Sequence, residues 1–246
     1  MFPLNIALVE ERLGLVLRPA DLWLYIFFNE DSDGQPPPTH LGQQLLAYRG
    51  DKVIDLVISD HFSDHYPEHR DQHGLWRSGL ASNLAFRNIL EERGVLMAVR
   101  QTLHPKLQCG VKDGGTMFEA AVGAYYRCDG LEPTRAYLHE VLMPRIPGVI
   151  AQAWAEHPAM RLSALCSRLF HVTPDYLSLG LAGSRKRQGF AVRLNIPGVL
   201  KIDGYGRDPD AAKARAIKDG FEMLRRRGID VDAPPDIVLA MNSSST

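Results

Sequence analysis

His61, His65, His69 and His73 recur at every fourth position. On one continuous helix that spacing would line a single face with imidazoles, a common ligand type for transition metals. Pro67 sits inside the run and stops a helix that enters it. The four histidines therefore do not share a stripe and read as a surface or interface cluster, not a metal site. Cys109, Cys128 and Cys166 lie far apart with no CxxC pair. They give no zinc framework, read as core thiols, and suit a reduced, intracellular compartment. Gly114-Gly115 lacks the Lys-Ser/Thr that follows in a phosphate loop, so no nucleotide site is implied. The densest cationic feature is Ser184-Arg185-Lys186-Arg187-Gln188, a basic hairpin tip suited to phosphate. Arg225-Arg226-Arg227 falls at a helix end, where cations complement the last carbonyls.

Those groups need a frame. The chain has 246 residues, of which 45% are hydrophobic and 23% charged. Such proportions exclude wholesale disorder, collagen and a disulfide-dense miniprotein, and the length allows a sizeable core in one or two domains. Spanning a bilayer takes roughly 18 apolar residues. The longest apolar stretch here, Leu22 to Phe28, has seven, so no membrane association is expected. Met1 leads almost directly into a helical pattern, which gives no secretory signal. Charge divides the chain. Residues 1–150 carry 14 basic against 19 acidic side chains, residues 151–228 carry 14 against 7, and residues 229–246 carry none against 3. The basic back section has the electrostatic footprint of a module for phosphate-rich partners.

Apolar spacing predicts helices over 5–17, 22–28, 40–66, 75–94, 116–128 and 131–142. Loops are expected at 29–38, 67–73 and 112–115. Pro144 to Pro147 reads as a domain boundary. Beyond it the period changes. Residues 160–170 read as a helix, 176–182, 189–196 and 199–205 as strands, and 210–227 as a last helix opened by Pro209. The fold class is therefore all-α, followed by a small α-β-β-β-α module. The expected division is 1–147, 151–228 and a flexible tail at 229–246.

Four segments of the helical half resemble ribonuclease III, in that family's order and at compatible spacing. They are Val9 to Leu24 (VEERLGLVLRPADLWL), Gln43 to Leu56 (QQLLAYRGDKVIDL), Arg77 to Asn83 (RSGLASN) and Glu119 to Gly130 (EAAVGAYYRCDG). The second half resembles a double-stranded-RNA-binding domain. It does so through its α-β-β-β-α order, Pro174-Asp175-Tyr176 at the first strand, Gly204-Tyr205-Gly206 before the last helix, and Ala212-Lys213 within it.

The resemblance implies a homo- or heterodimer of helical nuclease domains acting on structured or double-stranded RNA. It also implies a Mg²⁺ cage of acidic side chains on two facing helices. Asp51 and Glu119 stand at two of that family's ligand positions and would be the catalytic and metal residues. At the others stand Gln44, Ala47 and Thr116, none of which supplies negative charge. About half the anionic ligands remain, so Mg²⁺ binding is expected to be weak. Asp55 and Asp113 are the nearby acids available as substitutes, and Asp55 fits a structural position. Tyr48 stands where the family places a dimer-interface aromatic. For RNA, the resemblance implies contacts from Arg185, Lys186 and Arg187 in the loop, and from Arg207 and Lys213 at the last helix. The family's lysine pair there is replaced by Pro209-Asp210. The leading expectation is a catalytically impaired member, working as a ribonucleoprotein scaffold such as a mitochondrial ribosomal component, or as the non-cutting partner of an active nuclease. The alternative is a divergent, metal-dependent, double-strand-specific endoribonuclease. A third is a pure protein–protein module.

Overall fold

The computed structural model describes residues 5–28, 35, 37–70, 72–103, 110–182 and 189–232. The chain divides into two compact units, Met1–Val149 and Ile150–Thr246.

The first unit is helical: α1 (Ile6–Leu13), α2 (Leu22–Phe28), α3 (Gln43–His65), α4 (His73–Leu80), α5 (Asn83–Glu92), α6 (Val95–Leu103), α7 (Val111–Asp129) and α8 (Leu131–Leu142). A further helix, α9 (Ile146–Glu156), runs across the division between the units. Its start coincides with the Pro144–Pro147 segment read as a break, because Pro147 occupies a first-turn position where the missing N–H is harmless. The core is built on α3 and α7. Their inner faces bury Leu46, Ile54, Val57, Ile58 and Phe62 on one side and Phe118, Ala120, Ala121, Val122 and Ala124 on the other. Trp23, Trp76 and Phe86 are fully buried around them. Glu10 ties the turn between the first two helices. One carboxylate oxygen accepts from the Leu17 amide, the Arg18 guanidinium and the Trp23 indole at 3.0–3.1 Å.

Two local expectations are corrected. The single helix over 75–94 is two helices. α4 ends at Leu80, and the Ser82 hydroxyl caps α5 by accepting the Ala85 N–H at 3.1 Å. Periodicity alone does not register a cap of this kind. The loop over 112–115 is the first turn of α7. Glycine costs about 1 kcal/mol in a helix, which is why Gly114-Gly115 reads as a break. Both are buried against α5 instead. A Cβ at Gly114 would come within 2.8 Å of the Arg87 Cβ, and one at Gly115 would overlap the Asn83 side chain. The glycines let α5 lie closely on α7.

The second unit comprises α10 (Pro158–Phe170), β1 (Asp175–Ala182), β2 (Gly189–Ile196), β3 (Leu200–Gly206) and α11 (Pro209–Arg226). The strands form an antiparallel sheet in the order β1-β2-β3, the architecture expected from sequence. Gly198, at φ 73°, supplies the left-handed residue that the tight β2–β3 turn needs. Leu162, Leu165, Cys166, Leu194, Ile196 and Leu224 form the core between sheet and helices. The Gly-Tyr-Gly motif has a packing reason. A Cβ at Gly204 would overlap the backbone of Ala212 and Ala216, so α11 rests directly on β3. Residues 229–232, assigned to a flexible tail by composition, are packed. Val231 is 1% exposed in this core, and its carbonyl accepts from Arg161 at 3.1 Å. Residues 233–246 lie outside the described residues. Among the described residues no helix is long and apolar enough to cross a membrane.

Candidate carboxylate site and nucleic-acid interface

The crossing of α3 and α7 is a main-chain contact. A Cβ at Gly50 would overlap the Glu119 carbonyl, and one at Gly123 would overlap the Leu46 carbonyl and lie 2.8 Å from the Gly50 nitrogen. Only two hydrogens separate the helices there. Asp51, next to Gly50, and Glu119, one turn before Gly123, are brought together by this crossing. Asp55, one turn past Asp51, joins them. Glu119 is half-buried, and its carboxyl is pushed up to about 7, first by loss of solvent and then by the charges of Asp51 and Asp55. Lys52 opposes the shift.

A raised carboxyl pKa destabilises the fold at high pH. The stabilising contribution of Glu119 is complete below its unfolded pKa near 4.5 and is lost as pH rises through about 7. In chelator, Glu119→Gln should therefore melt within about a degree of the native chain at pH 4.5, and a few degrees above it at pH 8. Equal melting temperatures at pH 8 would show that Glu119 carries no such cost.

The other members of the expected cage do not complete it. Gln44 is exposed, Ala47 is buried and offers no donor, and Thr116 is partly buried near the start of α7. Asp51 is held by Lys52 at 2.6 Å, and Asp55 by Arg77 at 2.5 Å. Asp113 accepts the Gly110 N–H at 3.0 Å and is spent on the start of α7. Among the described residues no group of three Asp, Glu, His or Cys side chains is arranged to hold a metal ion. The donor set present does not fit a full Mg²⁺ cage, which needs carboxylate charge to offset dehydration of the ion. Tyr48 is 62% exposed on the outer face of α3, flanked by exposed Leu45 and Leu56, with the Lys52 ammonium 5.6 Å from its ring centroid.

In the second unit, Arg185, Lys186 and Arg187 lie outside the described residues. Arg207 is nearly fully exposed and pairs with Asp208 at 3.0 Å. Asp208 also caps α11, accepting the Ala211 N–H at 2.7 Å. The helix N-terminus, a natural anion site, is thus already served by the chain's own carboxylate, with Asp210 in the same turn. Lys213 holds its ammonium 4.3 Å above the Tyr176 ring, a cation–π contact. Sequence reasoning missed the bidentate Arg193–Asp203 pair at 2.6 and 2.8 Å, which joins β2 to β3 on the sheet's outer face. Opposite charges at matched alternation were its only signal.

The histidines gather after all, around a corner. α3 ends at His65, and the chain turns back through Pro67–His69 into α4. His61 and His65 stack at 4.2 Å, and His139 of α8 meets His61 edge-on at 5.3 Å. His69 and His73 lie against Trp76. His61 is pushed down to about 4 by loss of solvent, with His65 and His139 adding to it. Its sign is opposite to that of Glu119. It stabilises the fold above pH 6.5, and that contribution is lost as pH falls toward about 4.

No family model matches the chain. Among curated proteins it is similar to Ribonuclease 3 of Bdellovibrio bacteriovorus, 26% identical over 227 residues, covering 87% of this chain and 94% of that protein. Ribonuclease 3 of Lactiplantibacillus plantarum is 22% identical over 236 residues, covering 90% and 97%. The chain is thus similar to ribonuclease III proteins over most of its length. Ribonuclease 3 of Caenorhabditis briggsae is 26% identical over 191 residues, covering 74% of this chain but 18% of that protein. The chain therefore spans about a fifth of the nematode relative, whereas it matches the bacterial ribonuclease III proteins nearly end to end. Among solved structures, the nuclease domain of ribonuclease III from Campylobacter jejuni overlays with a TM-score of 0.47 at 16% identity, over 58% of this chain and 97% of that one.

Proposed function

We propose that this protein works on or within structured, double-stranded RNA as a ribonuclease III-family member with impaired cleavage. In that role it is a ribonucleoprotein component or the non-cutting partner of an active nuclease. One observation carries the reading. The α3–α7 crossing keeps Asp51 and Glu119 together, while Gln44, Ala47 and Thr116 stand at the remaining ligand positions, and Lys52 and Arg77 hold Asp51 and Asp55. A hydroxide generator for phosphodiester hydrolysis needs more negative charge than that arrangement leaves free. The exposed Leu45, Tyr48 and Leu56 face of α3 favours pairing with a second ribonuclease III-like subunit. In this reading residues 1–147 form the nuclease-like domain, and residues 151–228 the RNA-binding module. The module would grip RNA chiefly through Arg185, Lys186 and Arg187, because the α11 terminus is capped by Asp208.

The deciding experiment is incubation of the purified protein with a long labelled RNA duplex, with Mg²⁺ and then Mn²⁺, beside Glu119→Gln. The same samples are run on a native gel. A shifted band without cutting is expected. Arg185→Glu with Arg187→Glu should reduce the slope of log affinity against log salt by about 2. Cutting by the native chain that Glu119→Gln lacks would replace this reading with an active, metal-dependent endoribonuclease. Neither cutting nor shift would leave a protein as the ligand.

A further inference from the structure

The exposed face of α3 carries more than apolar side chains. Leu45, Tyr48 and Leu56 are 36%, 62% and 44% exposed along it. By helical spacing, Arg49 borders this face on one side, and Asp51 and Asp55 border it on the other. The two borders differ in what their charges hold. Asp51 pairs with Lys52, and Asp55 with Arg77. Arg49 instead reaches a main-chain oxygen, the His40 carbonyl, at 3.4 Å. Arg127 comes from α7 to the same oxygen, also at 3.4 Å. Two like charges are gathered on one carbonyl, and among the described residues neither has a carboxylate partner. Other arginines of this unit are matched: Arg18 with Glu10, Arg87 with Glu91, Arg135 with Asp60 and Arg145 with Glu92.

This pair of cations bears on what can sit against α3. A two-fold dimer sets a surface patch against its own copy. With the two helices antiparallel, the arginine border of one meets the arginine border of the other. With them parallel, it meets the border of Asp51 and Asp55, whose charges Lys52 and Arg77 already hold. Neither arrangement brings a free carboxylate to Arg49 and Arg127, and like charges set together across an interface disfavour that partner. We infer that the α3 face selects a different subunit, one that presents carboxylates opposite Arg49 and Arg127, over a second copy of this chain. This rests on the pairing role proposed above for α3, and fixes which kind of partner the face accepts.

The test uses the full chain and its Arg49→Glu, Arg127→Glu form as the acid-bearing partner, both confirmed folded by circular dichroism. Each is sedimented alone and in an equimolar mixture. The mixture is expected to dimerise at least ten times more tightly than either chain alone, and less tightly as salt is raised. Tyr48→Ala in both chains should weaken the mixed dimer tenfold or more, since Tyr48 lies at the centre of the face and is too exposed to be needed for folding. If the native chain pairs with itself as tightly as the mixture does, and Tyr48→Ala abolishes that pairing, the inference is overturned while the pairing role of α3 stands. A mixed dimer that survives Tyr48→Ala unchanged places the contact elsewhere and overturns it as well. No pairing in any sample removes the pairing role of α3, and the inference with it.

Discussion

Gly123→Ala should unfold the helical unit, or lower its melting temperature by about 10 °C or more. The added methyl has nowhere to go. Its nearest neighbours are the Leu46 carbonyl and the Gly50 nitrogen, both main-chain atoms in the middle of a helix. A flexible side chain could swing aside, but a buried helix backbone moves only with its whole helix. α3 and α7 would have to separate along the seam that buries Leu46, Ile54, Phe118 and Val122. Overpacking on this scale belongs with the rare substitutions that cost about 4–5 kcal/mol. For a unit of this size each kcal/mol is worth roughly 2–4 °C. Gly50→Ala should do the same, since its methyl would overlap the Glu119 carbonyl. Gly148→Ala is the control. Nothing lies within 4 Å of its Cβ position, and the residue is exposed in a helix. It should be neutral or stabilising by up to about 1 kcal/mol. If Gly123→Ala melts with the native chain, α3 and α7 do not touch through their backbones in solution.

The second large effect concerns charge. Ala47→Glu with Thr116→Asp would add two carboxylates to the helices that carry Asp51 and Glu119. Without metal, five acids near one crossing, Asp55 included, repel one another, and the variant should melt several degrees below the native chain at pH 8. With millimolar Mg²⁺ or Mn²⁺ the order should reverse. Binding to the folded state alone adds about 2.7 kcal/mol at a hundred times the dissociation constant. The native chain, with Asp51 and Asp55 already tied to Lys52 and Arg77, should shift by less than about 1 °C under the same conditions. Thermal denaturation with and without the ion measures both. A native chain that gains as much from Mg²⁺ as the variant would show that two carboxylates make a sufficient site.

The sequence revealed the architecture well where apolar spacing was regular. α2 and α8 fall at the expected residues, and β2 does too. It failed where local chemistry overrides period. The Ser82 cap divides one apparent helix into two, and Gly114-Gly115 looks like a break until α5 is seen resting on it. The histidines show the same limit. Pro67 does end α3, yet the chain folds back and delivers His69 and His73 to Trp76, a long-range result that no spacing rule contains. At the carboxylate site, residue types were readable but their partners were not. Lys52 follows Asp51 directly, whereas Arg77 reaches Asp55 from another helix. The same holds for Asp232, whose clamp by Arg161 and Arg225 depends on two helices meeting.

The glycine contact between α3 and α7 separates two kinds of information in the chain. The distance between the helices is written in two residues without side chains, and the chemistry between them in residues that point out of the seam. Side chains at the exposed position 44 and the partly buried position 116 can therefore change while the spacing of the helices persists. A protein built this way can give up hydrolysis and still present an unaltered outline to any subunit or nucleic acid that recognises it by form. Its architecture is insulated from the fate of its reaction.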